Sequence, residues 1–368
     1  MDIDNVVNVL KSDYLTTGPK ISEFEEKLAE YCGSKYAVCF NSGTSALHGS
    51  YFALGIGEDD EVITSPNTFV ATSNAALYLN AKPVFTDVEK TTGNMDVARV
   101  EDKITSQTKL IVPVHYSGNP VDLKELSIIA DDYNVKIIED AAHALGATYE
   151  GGRIGNNRYS EMSIFSFHPV KHITTGEGGM VLTNSKDYYD KLNMFRSHGV
   201  TKNNFNYESD GDWYYEMHYL GYNYRMTDIQ ASLGLSQLEK LDGFVERRRS
   251  IAERYDNAFK DNPYFKTLKV KDCCQSSYHL YPILLNDEYQ DKKRSIFSKL
   301  HSEGLGVQVH YIPVYLQPYY QNLGYKRGSC PVAEDFYKRE ITIPLYPAMS
   351  DSDVDYVISK VFKVFKNL

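Results

Sequence analysis

Short apolar runs and amphipathic stretches alternate along the first half of the chain. Between about residues 33 and 185, runs typical of buried strands are separated by stretches with helical spacing. This alternation predicts an α/β fold, a mostly parallel sheet flanked by helices on both faces. The predicted strands are residues 37–40, 61–64, 83–87, 110–114, 135–139, 163–167 and 180–183, and the clearest helices between them are 71–79 and 123–133.

The pattern changes after residue 198. Residues 198–220 are polar and aromatic without a period, which predicts a long loop. Residues 229–254 have apolar positions at helical spacing and predict one helix; these positions are Leu233, Leu235, Leu238, Leu241 and Phe244. We interpret this helix as the bridge to a smaller α+β domain. The predicted domains are therefore residues 1–244 and residues 245–368.

Composition excludes several classes of function. The chain of 368 residues has a formal net charge of -10, which argues against nucleic acid or an anionic membrane as the partner. No segment has the apolar length of a membrane span, and the first residues lack the pattern of a signal peptide. The five cysteines show no metal-type spacing and indicate a reducing compartment. We therefore expect a cytoplasmic protein without a metal site.

Lys171 is the most informative single residue. It lies in residues 163–179, SIFSFHPVKHITTGEGG, where a buried strand is followed by a glycine-rich turn. Burial lowers the pKa of a lysine, and a free amine can condense with an aldehyde cofactor in Schiff-base chemistry. The alternative, an ordinary surface lysine after a strand, is the more frequent fate of lysine in general.

Two further segments could belong to the same site. A strand at 135–139 ends beside Asp140, and sites in open α/β sheets form where strands end. Asp140 could alternatively be a helix N-cap. A strand at 36–40 turns through Asn41, Ser42 and Gly43 into a helix opened by Thr44, where free N–H groups favour a phosphate. The alternative there is a simple capped helix.

Together these segments resemble the DegT/DnrJ/EryC1/StrS family of sugar aminotransferases, which depend on pyridoxal phosphate (PLP) and have the fold-type I architecture. The resemblance covers nearly the whole chain. Its motifs are residues 14–19 (YLTTGP), 41–47 (NSGTSAL), 67–72 (NTFVAT), 139–143 (EDAAH), 166–171 (SFHPVK) and 221–228 (GYNYRMTD). Within the family, the chain is most similar to enzymes of pseudaminic acid synthesis. It departs from them at His172, where we expect proline.

The resemblance implies a role for each of several residues. Lys171 would hold PLP, and Asp140 would keep the pyridine nitrogen protonated. Phe69 would stack on the ring, and His143 would cover the ring or position the carboxylate, provided that a helix begins after Asp140. The phosphate would bind to Gly43, Thr44, Ser166 and, from the neighbouring subunit of a homodimer, Asn223. Candidates for substrate binding are Arg225, His310 and Tyr311.

The implied reaction is transfer of an amino group from L-glutamate to C4 of a UDP-linked 4-keto-6-deoxy-N-acetylhexosamine. Two alternatives remain open: another nucleotide-sugar aminotransferase, or a PLP-binding regulator without catalysis. Sugar 3-dehydrases of the family have histidine in place of the lysine. Because Lys171 holds that position here and His172 follows it, we reject the dehydrase reading.

Overall fold

The computed structural model describes all residues, 1–368. Seven strands form the principal sheet, and eight shorter or later strands form three small sheets. The strands are β1 Tyr36–Phe40, β2 Glu61–Thr64, β3 Lys82–Phe85, β4 Thr108–Val112, β5 Lys136–Asp140, β6 Thr148–Tyr149, β7 Gly152–Arg153, β8 Met162–Ser166, β9 Gly179–Thr183, β10 Val200–Thr201, β11 Glu216–Met217, β12 Phe265–Thr267, β13 Cys274–Gln275, β14 Tyr281–Leu285 and β15 Glu340–Ile343.

Twelve α-helices and five short 3-10 helices complete the fold. The α-helices are α1 Asp2–Leu10, α2 Pro19–Cys32, α3 Gly43–Leu54, α4 Ala71–Leu77, α5 Leu123–Asp132, α6 Lys186–Phe195, α7 Asp228–Leu238, α8 Leu241–Phe259, α9 Lys293–Ser302, α10 Pro318–Asn322, α11 Pro331–Arg339 and α12 Asp351–Lys366. The 3-10 helices are Val97–Arg99, Glu101–Lys103, Tyr116–Gly118, Asp287–Lys292 and Val314–Leu316. None of the helices combines the length and the apolar character needed to cross a lipid bilayer.

The principal sheet has the strand order β1-β9-β8-β5-β4-β2-β3. The strands β8, β5, β4, β2 and β3 pair in parallel, whereas β9 is antiparallel to both of its neighbours. The prediction of an α/β fold with a mostly parallel sheet is confirmed, and six of the seven strands run in one direction. Their carboxyl ends therefore meet along one edge of the sheet.

Both faces of this sheet are covered, because residues alternate between faces along each strand. In β9, Met180 and Leu182 pack in the core that contains Phe24 of α2, whereas Val181 packs in the core that contains Tyr51 of α3. Apolar runs without polar alternation are expected for strands buried on both faces. For this reason the seven strands predicted from the sequence agree with those of the structure to within two residues at each end.

The single helix predicted over residues 229–254 is wrong, because the structure has two helices, α7 and α8, separated by Glu239 and Lys240. No glycine or proline marks the break. The buried face of α7 consists instead of small residues, including Ser232 and Gly234, and a Cβ on Gly234 would stand 2.6 Å from the ring of Phe24. Close packing on α2 therefore selects small residues, and Leu233 is only half-buried.

The helix α8 joins two cores. Leu241 and Val245 pack beneath the principal sheet, and Ile251, Tyr255 and Phe259 pack in a second core. The second core is built on the antiparallel sheet β12-β14-β15 with α9 and α12. Residue 245, the predicted domain boundary, therefore lies within a continuous helix.

Two later segments return towards the principal sheet. Val314, Tyr315 and Tyr320 pack against Phe85 of β3. Residues 198–220, predicted as a loop without regular structure, contain a short antiparallel ribbon of β10 and β11. The remainder of that segment is irregular, as its sequence indicates.

Candidate active site

The ends of four adjacent strands, β5, β8, β9 and β1, bring the central residues of the site together. Asp140 is the last residue of β5 and pairs with Ile164 of β8, whose last residue is Ser166. Ser166 in turn pairs with Gly179 of β9, which pairs with Phe40 of β1. Asp140, Ser166 and the start of α3 therefore lie along one edge of the sheet.

Lys171 lies in the turn that follows β8 and is half-buried. Burial lowers its pKa to about 8, and Asp140 opposes that effect as the carboxylate that raises the pKa of the amine. At pH 7 the shift gives a much larger fraction of free amine than an unperturbed lysine would have. The alternative of an ordinary surface lysine does not fit this environment. Asp140 is close enough to influence the charge of Lys171, as expected if the two residues share one site.

The carboxylate of Asp140 is buried and held by two donors. Its Oδ2 atom accepts a hydrogen bond of 2.6 Å from the Thr72 hydroxyl, and its Oδ1 atom accepts one of 3.1 Å from the Ala142 N–H. The segment after Asp140 forms turns and not a helix, so the helix N-cap alternative is wrong. The helix that we assumed in order to place Asp140 and His143 on one face is absent for the same reason.

His143 is nevertheless buried within the site. Its Nε2 atom is 3.1 Å from the Tyr311 hydroxyl, and its Nδ1 atom has no partner. Burial lowers the pKa of His143 well below its usual value, and the nearby Lys171 acts in the same direction. The imidazole is therefore neutral at physiological pH, with one ring nitrogen available to a further group.

The start of α3 and the end of β8 approach unusually closely. Ser42 caps α3 through the Ser45 N–H, which leaves the N–H groups of Gly43 and Thr44 without helical acceptors. A Cβ on Gly43 would lie 3.0 Å from the Cβ of Ser166, and one on Gly179 would lie 2.5 Å from the Ser42 carbonyl oxygen. Two glycines thus allow two N–H donors and one hydroxyl to converge, which suits a phosphate.

Phe69 does not belong to the core, because 61% of its surface is exposed. It precedes α4, and its carbonyl oxygen accepts a hydrogen bond of 3.4 Å from the Thr72 N–H. The same Thr72 donates its hydroxyl to Asp140. Phe69 is therefore connected to the buried carboxylate through a single residue, Thr72.

Lys171, His172, His310 and Tyr311 line one cavity of about 560 Å³ between the two cores. Burial and the neighbouring Lys171 lower the pKa of His310 to about 4. Burial raises the pKa of Tyr311 above its usual value, and Asp140 contributes to that increase. The structure thus brings these two candidates for substrate binding to the lysine.

Asn223 and Arg225 lie elsewhere in the single chain. Asn223 is exposed, and its carbonyl oxygen accepts a hydrogen bond of 3.4 Å from the Asn41 side chain. Arg225 lines a separate crevice with Thr17, Gly18 and Arg196. Neither side chain lines the cavity that contains Lys171, so their roles stay predictions.

Several residues of the site carried no recognisable signal in the sequence. Thr72 falls within a quoted motif, but nothing indicated that it would bind Asp140. His279 comes from the second core, and its ring centroid is 4.3 Å from that of His143 and 5.6 Å from that of His172. All three rings have an unpartnered Nδ1 atom. Only the packing of the two cores brings them together.

Comparisons with known proteins bear on what this arrangement does. A family model described as the DegT/DnrJ/EryC1/StrS aminotransferase family matches residues 1–362. The chain belongs to this family. The aminotransferases of this family are PLP-dependent, and the chain is an enzyme of that type.

Individual members of the family are similar over almost their entire length. The chain is 43% identical over 372 residues to the UDP-4-amino-4,6-dideoxy-N-acetyl-beta-L-altrosamine transaminase of Campylobacter jejuni, covering 100% of this chain and 95% of the relative. Among solved structures, Helicobacter pylori PseC, an aminotransferase involved in the biosynthesis of pseudoaminic acid, superposes with a TM-score of 0.93 at 38% identity, covering 100% of this chain and 96% of PseC. The PLP form of the putative sugar aminotransferase Spr1654 from Streptococcus pneumoniae superposes with a TM-score of 0.92 at 33% identity, covering 100% of this chain and 96% of Spr1654.

The residues of this family member fit PLP. The cofactor needs an amine for its aldehyde, a carboxylate for its ring nitrogen, an apolar surface for the ring and N–H donors for its phosphate. Lys171, Asp140, Phe69 and the start of α3 offer these four groups. The unpartnered Nδ1 of His143 and the two glycines that keep the phosphate cradle open are difficult to explain by packing alone.

Proposed function

We propose that the chain transfers an amino group from L-glutamate to C4 of a UDP-linked 4-keto-6-deoxy-N-acetylhexosamine, acting as a homodimer with shared active sites. The transaminase activity for which the Campylobacter relative is named, at 43% identity over 100% of this chain, supports the sugar and the position. The observation that carries the chemistry is Lys171, a half-buried amine with a lowered pKa beside Asp140.

PLP, when bound, supplies an aldehyde that takes up the amino group and a ring that accepts the electron pair released at carbon. Lys171 Nζ would act as the base that removes the proton from the α-carbon of glutamate, and it would return a proton to C4 of the sugar in the second half of the reaction. Asp140, held by Thr72 and the Ala142 N–H, would keep its charge directed at the ring nitrogen. His310 and Tyr311 would contact the sugar or its diphosphate.

The decisive test is a transaminase assay with a panel of ketosugar nucleotides. We expect glutamate-dependent amination of the UDP-linked 4-keto-6-deoxy-N-acetylhexosamine, detected as 2-oxoglutarate release and as the aminosugar by mass spectrometry. Amination of a different ketosugar only would favour the alternative of another nucleotide-sugar aminotransferase. Cofactor retained on Lys171 without amination of any sugar or release of 2-oxoglutarate would favour the non-catalytic regulator.

A further inference from the structure

A buried carboxylate of the second core stands behind His310. Glu340 is the first residue of β15 and is fully buried. Thr342 lies two residues further on the same face of the strand. Gln308 pairs with Thr342 across an antiparallel bridge, which places His310 opposite Glu340.

Three hydrogen bonds connect these residues in a line. The Glu340 Oε2 atom accepts a bond of 2.8 Å from the His310 main-chain N–H. The Glu340 Oε1 atom accepts one of 2.5 Å from the Thr342 hydroxyl. The same Thr342 oxygen is 2.9 Å from Nδ1 of the His310 ring. The other ring nitrogen, Nε2, has no protein partner, and His310 lines the cavity that contains Lys171.

We propose that Glu340, acting through Thr342, decides which ring nitrogen of His310 carries the proton, and therefore whether Nε2 meets the substrate as a hydrogen-bond acceptor or donor. Glu340 and Thr342 are positioning residues in this inference. It deepens the proposed function, because it assigns a defined hydrogen-bonding state to a substrate-facing residue of that site.

The tautomer follows from counting donors. While Glu340 is ionised, both of its oxygens accept, so the Thr342 hydroxyl hydrogen points to Glu340. The Thr342 oxygen can then only accept from the ring. Nδ1 of His310 must therefore carry the hydrogen, and Nε2 presents a lone pair to the cavity.

Protonation of Glu340 reverses the donor and acceptor roles in the hydrogen bonds from Glu340 through Thr342 to the His310 ring. The Oε2 atom must remain an acceptor, because the His310 main-chain N–H cannot reverse, so the proton resides on Oε1. That O–H donates to Thr342, whose hydroxyl hydrogen then turns to Nδ1. One proton enters at Nε2 from the cavity, the Nδ1 proton passes to Thr342, and the Thr342 proton passes to Glu340. The ring has become a donor at Nε2.

The surroundings make both states accessible. Burial raises the pKa of Glu340 above its usual value, towards the neutral range, and the Thr342 hydroxyl, Lys293 at the start of α9 and the His310 N–H oppose that rise. Tyr116 and Tyr311 also face the carboxylate, and the charge of Glu340 helps to keep their phenols neutral. On the cavity side the charged neighbour of His310 is Lys171, and the ring itself stays neutral because its pKa is lowered to about 4.

Glu340→Gln is the sharpest test, because the amide has one fixed orientation here. Its oxygen must accept from the His310 N–H, so its NH₂ group faces Thr342. The Thr342 hydroxyl then has to donate to Nδ1, which fixes the Nε2–H form at every pH. The readout is ¹⁵N NMR of histidine-labelled full-length protein in microcrystals, from about pH 6 to about pH 10. The His310 signals are assigned by their loss in His310→Gln.

We expect the unsubstituted protein to change from Nε2–H to Nδ1–H as the pH rises, and Glu340→Gln to remain Nε2–H throughout. Repeating the titration in Lys171→Ala removes the nearby amine and should leave this change in place. Glu334→Gln is the matched control. That buried carboxylate also binds a hydroxyl, of Tyr315, and a main-chain N–H, of Gly328, but lies away from His310.

Thr342→Val and Thr342→Ser provide a second route if Glu340→Gln folds poorly. With valine, which has no hydroxyl, the His310 tautomer should no longer depend on pH. With serine, which keeps the hydroxyl, that pH dependence should remain. In turnover assays, kcat/KM should change about tenfold over the pH range in which the tautomer changes, and Glu340→Gln should lack that step. The inference is overturned if His310 keeps one tautomer over the whole range, or if it still changes in Glu340→Gln, which would assign the effect to Lys293. The NMR result needs no substrate, so it stands apart from any failure of the transaminase assay.

Discussion

The reactivity of Lys171 follows from its burial. Because its pKa is lowered to about 8, the free amine in the protein without cofactor should appear near that pH and not near 10.5. We predict that the rate of Lys171 modification by an amine-directed reagent, followed by peptide mass spectrometry, rises with a midpoint near pH 8. Sodium borohydride treatment of the holoenzyme should attach the cofactor to the same peptide.

Lys136 is the internal reference for that measurement. A hydrogen bond from its ammonium group to Glu161 raises its pKa, so its modification should require more alkaline conditions. Equal pH dependence at the two lysines would contradict the assignment, as would covalent capture of the cofactor at another lysine. Lys171→Ala should abolish borohydride capture and reduce turnover by several orders of magnitude.

Asp140→Asn separates the charge of this residue from its packing. The amide has the same size, its oxygen can still accept from the Ala142 N–H, and the Thr72 hydroxyl can turn to accept from the new NH₂ group. We therefore expect an unchanged melting temperature but a fall in kcat of at least about 100-fold, typical of losing a directed electrostatic contact. Asp122→Asn, at the N-cap of α5, should have little effect on turnover. Turnover by Asp140→Asn near the unsubstituted rate would remove Asp140 from the chemistry.

The strands of the principal sheet could be predicted well, because burial on both faces demands uninterrupted apolar runs between polar turns. The ends of β5 and β8 followed directly, and with them the positions of Asp140 and Ser166. Helix α7 could not be predicted in the same way. The leucines of α7 suggested an apolar face, whereas α7 contacts α2 through small residues. The local sequence of α7 does not reveal how large the facing side chain of α2 is.

The parts of the site that come from the second core were the least predictable. Glu340 is a charged residue opening a strand, and nothing in its sequence neighbourhood indicates that it is fully buried beside His310. His279 is likewise an isolated histidine until the fold places it against His143. Local periodicity determines strands and turns, but polar contacts between the two cores depend on how those cores pack.

The approach of β9 to α3 gives a prediction about these two elements. A methyl group on Gly179 would stand 2.5 Å from the Ser42 carbonyl oxygen and 2.7 Å from the Gly43 nitrogen, closer than any real contact. Gly179→Ala should separate β9 from the start of α3, weaken PLP binding at least about tenfold and lower the melting temperature by several degrees. Equilibrium titration with PLP and thermal unfolding measure the two effects.

Gly57→Ala is the control for that substitution, since no atom lies within 4 Å of the added methyl group. It should leave both PLP affinity and melting temperature nearly unchanged. Gly179→Ala could lose stability and still bind PLP as well as the unsubstituted chain. In that case the phosphate does not bind at the close approach of Gly43, Ser166 and Gly179.

The single chain exposes several large apolar side chains, most of them in one segment. Val170 directly precedes Lys171, Phe69 directly precedes Val70 and α4, and the segment 207–222 contains further ones: Tyr207, Trp213, Tyr215, Met217, Leu220 and Tyr222. Apolar groups concentrated in this way are typical of a surface covered by a partner. A second copy of the chain is the partner proposed above, and Asn223 lies immediately after this segment.

Mixing two inactive chains tests whether the subunits share their sites. Consider a dimer of one Lys171→Ala chain and one Asn223→Ala chain. If each site takes its lysine from one subunit and its Asn223 from the other, one site carries both substitutions and the other site carries neither. After subunit exchange of equal amounts, half of the dimers are mixed, so about a quarter of all sites should regain full activity. The same mixture assayed before exchange is the baseline. If Asn223 instead serves its own chain, beside Asn41, every site keeps one lesion and exchange adds nothing. Full activity of a monomer at nanomolar protein would contradict the shared site more directly, because no second subunit would then be present to supply Asn223.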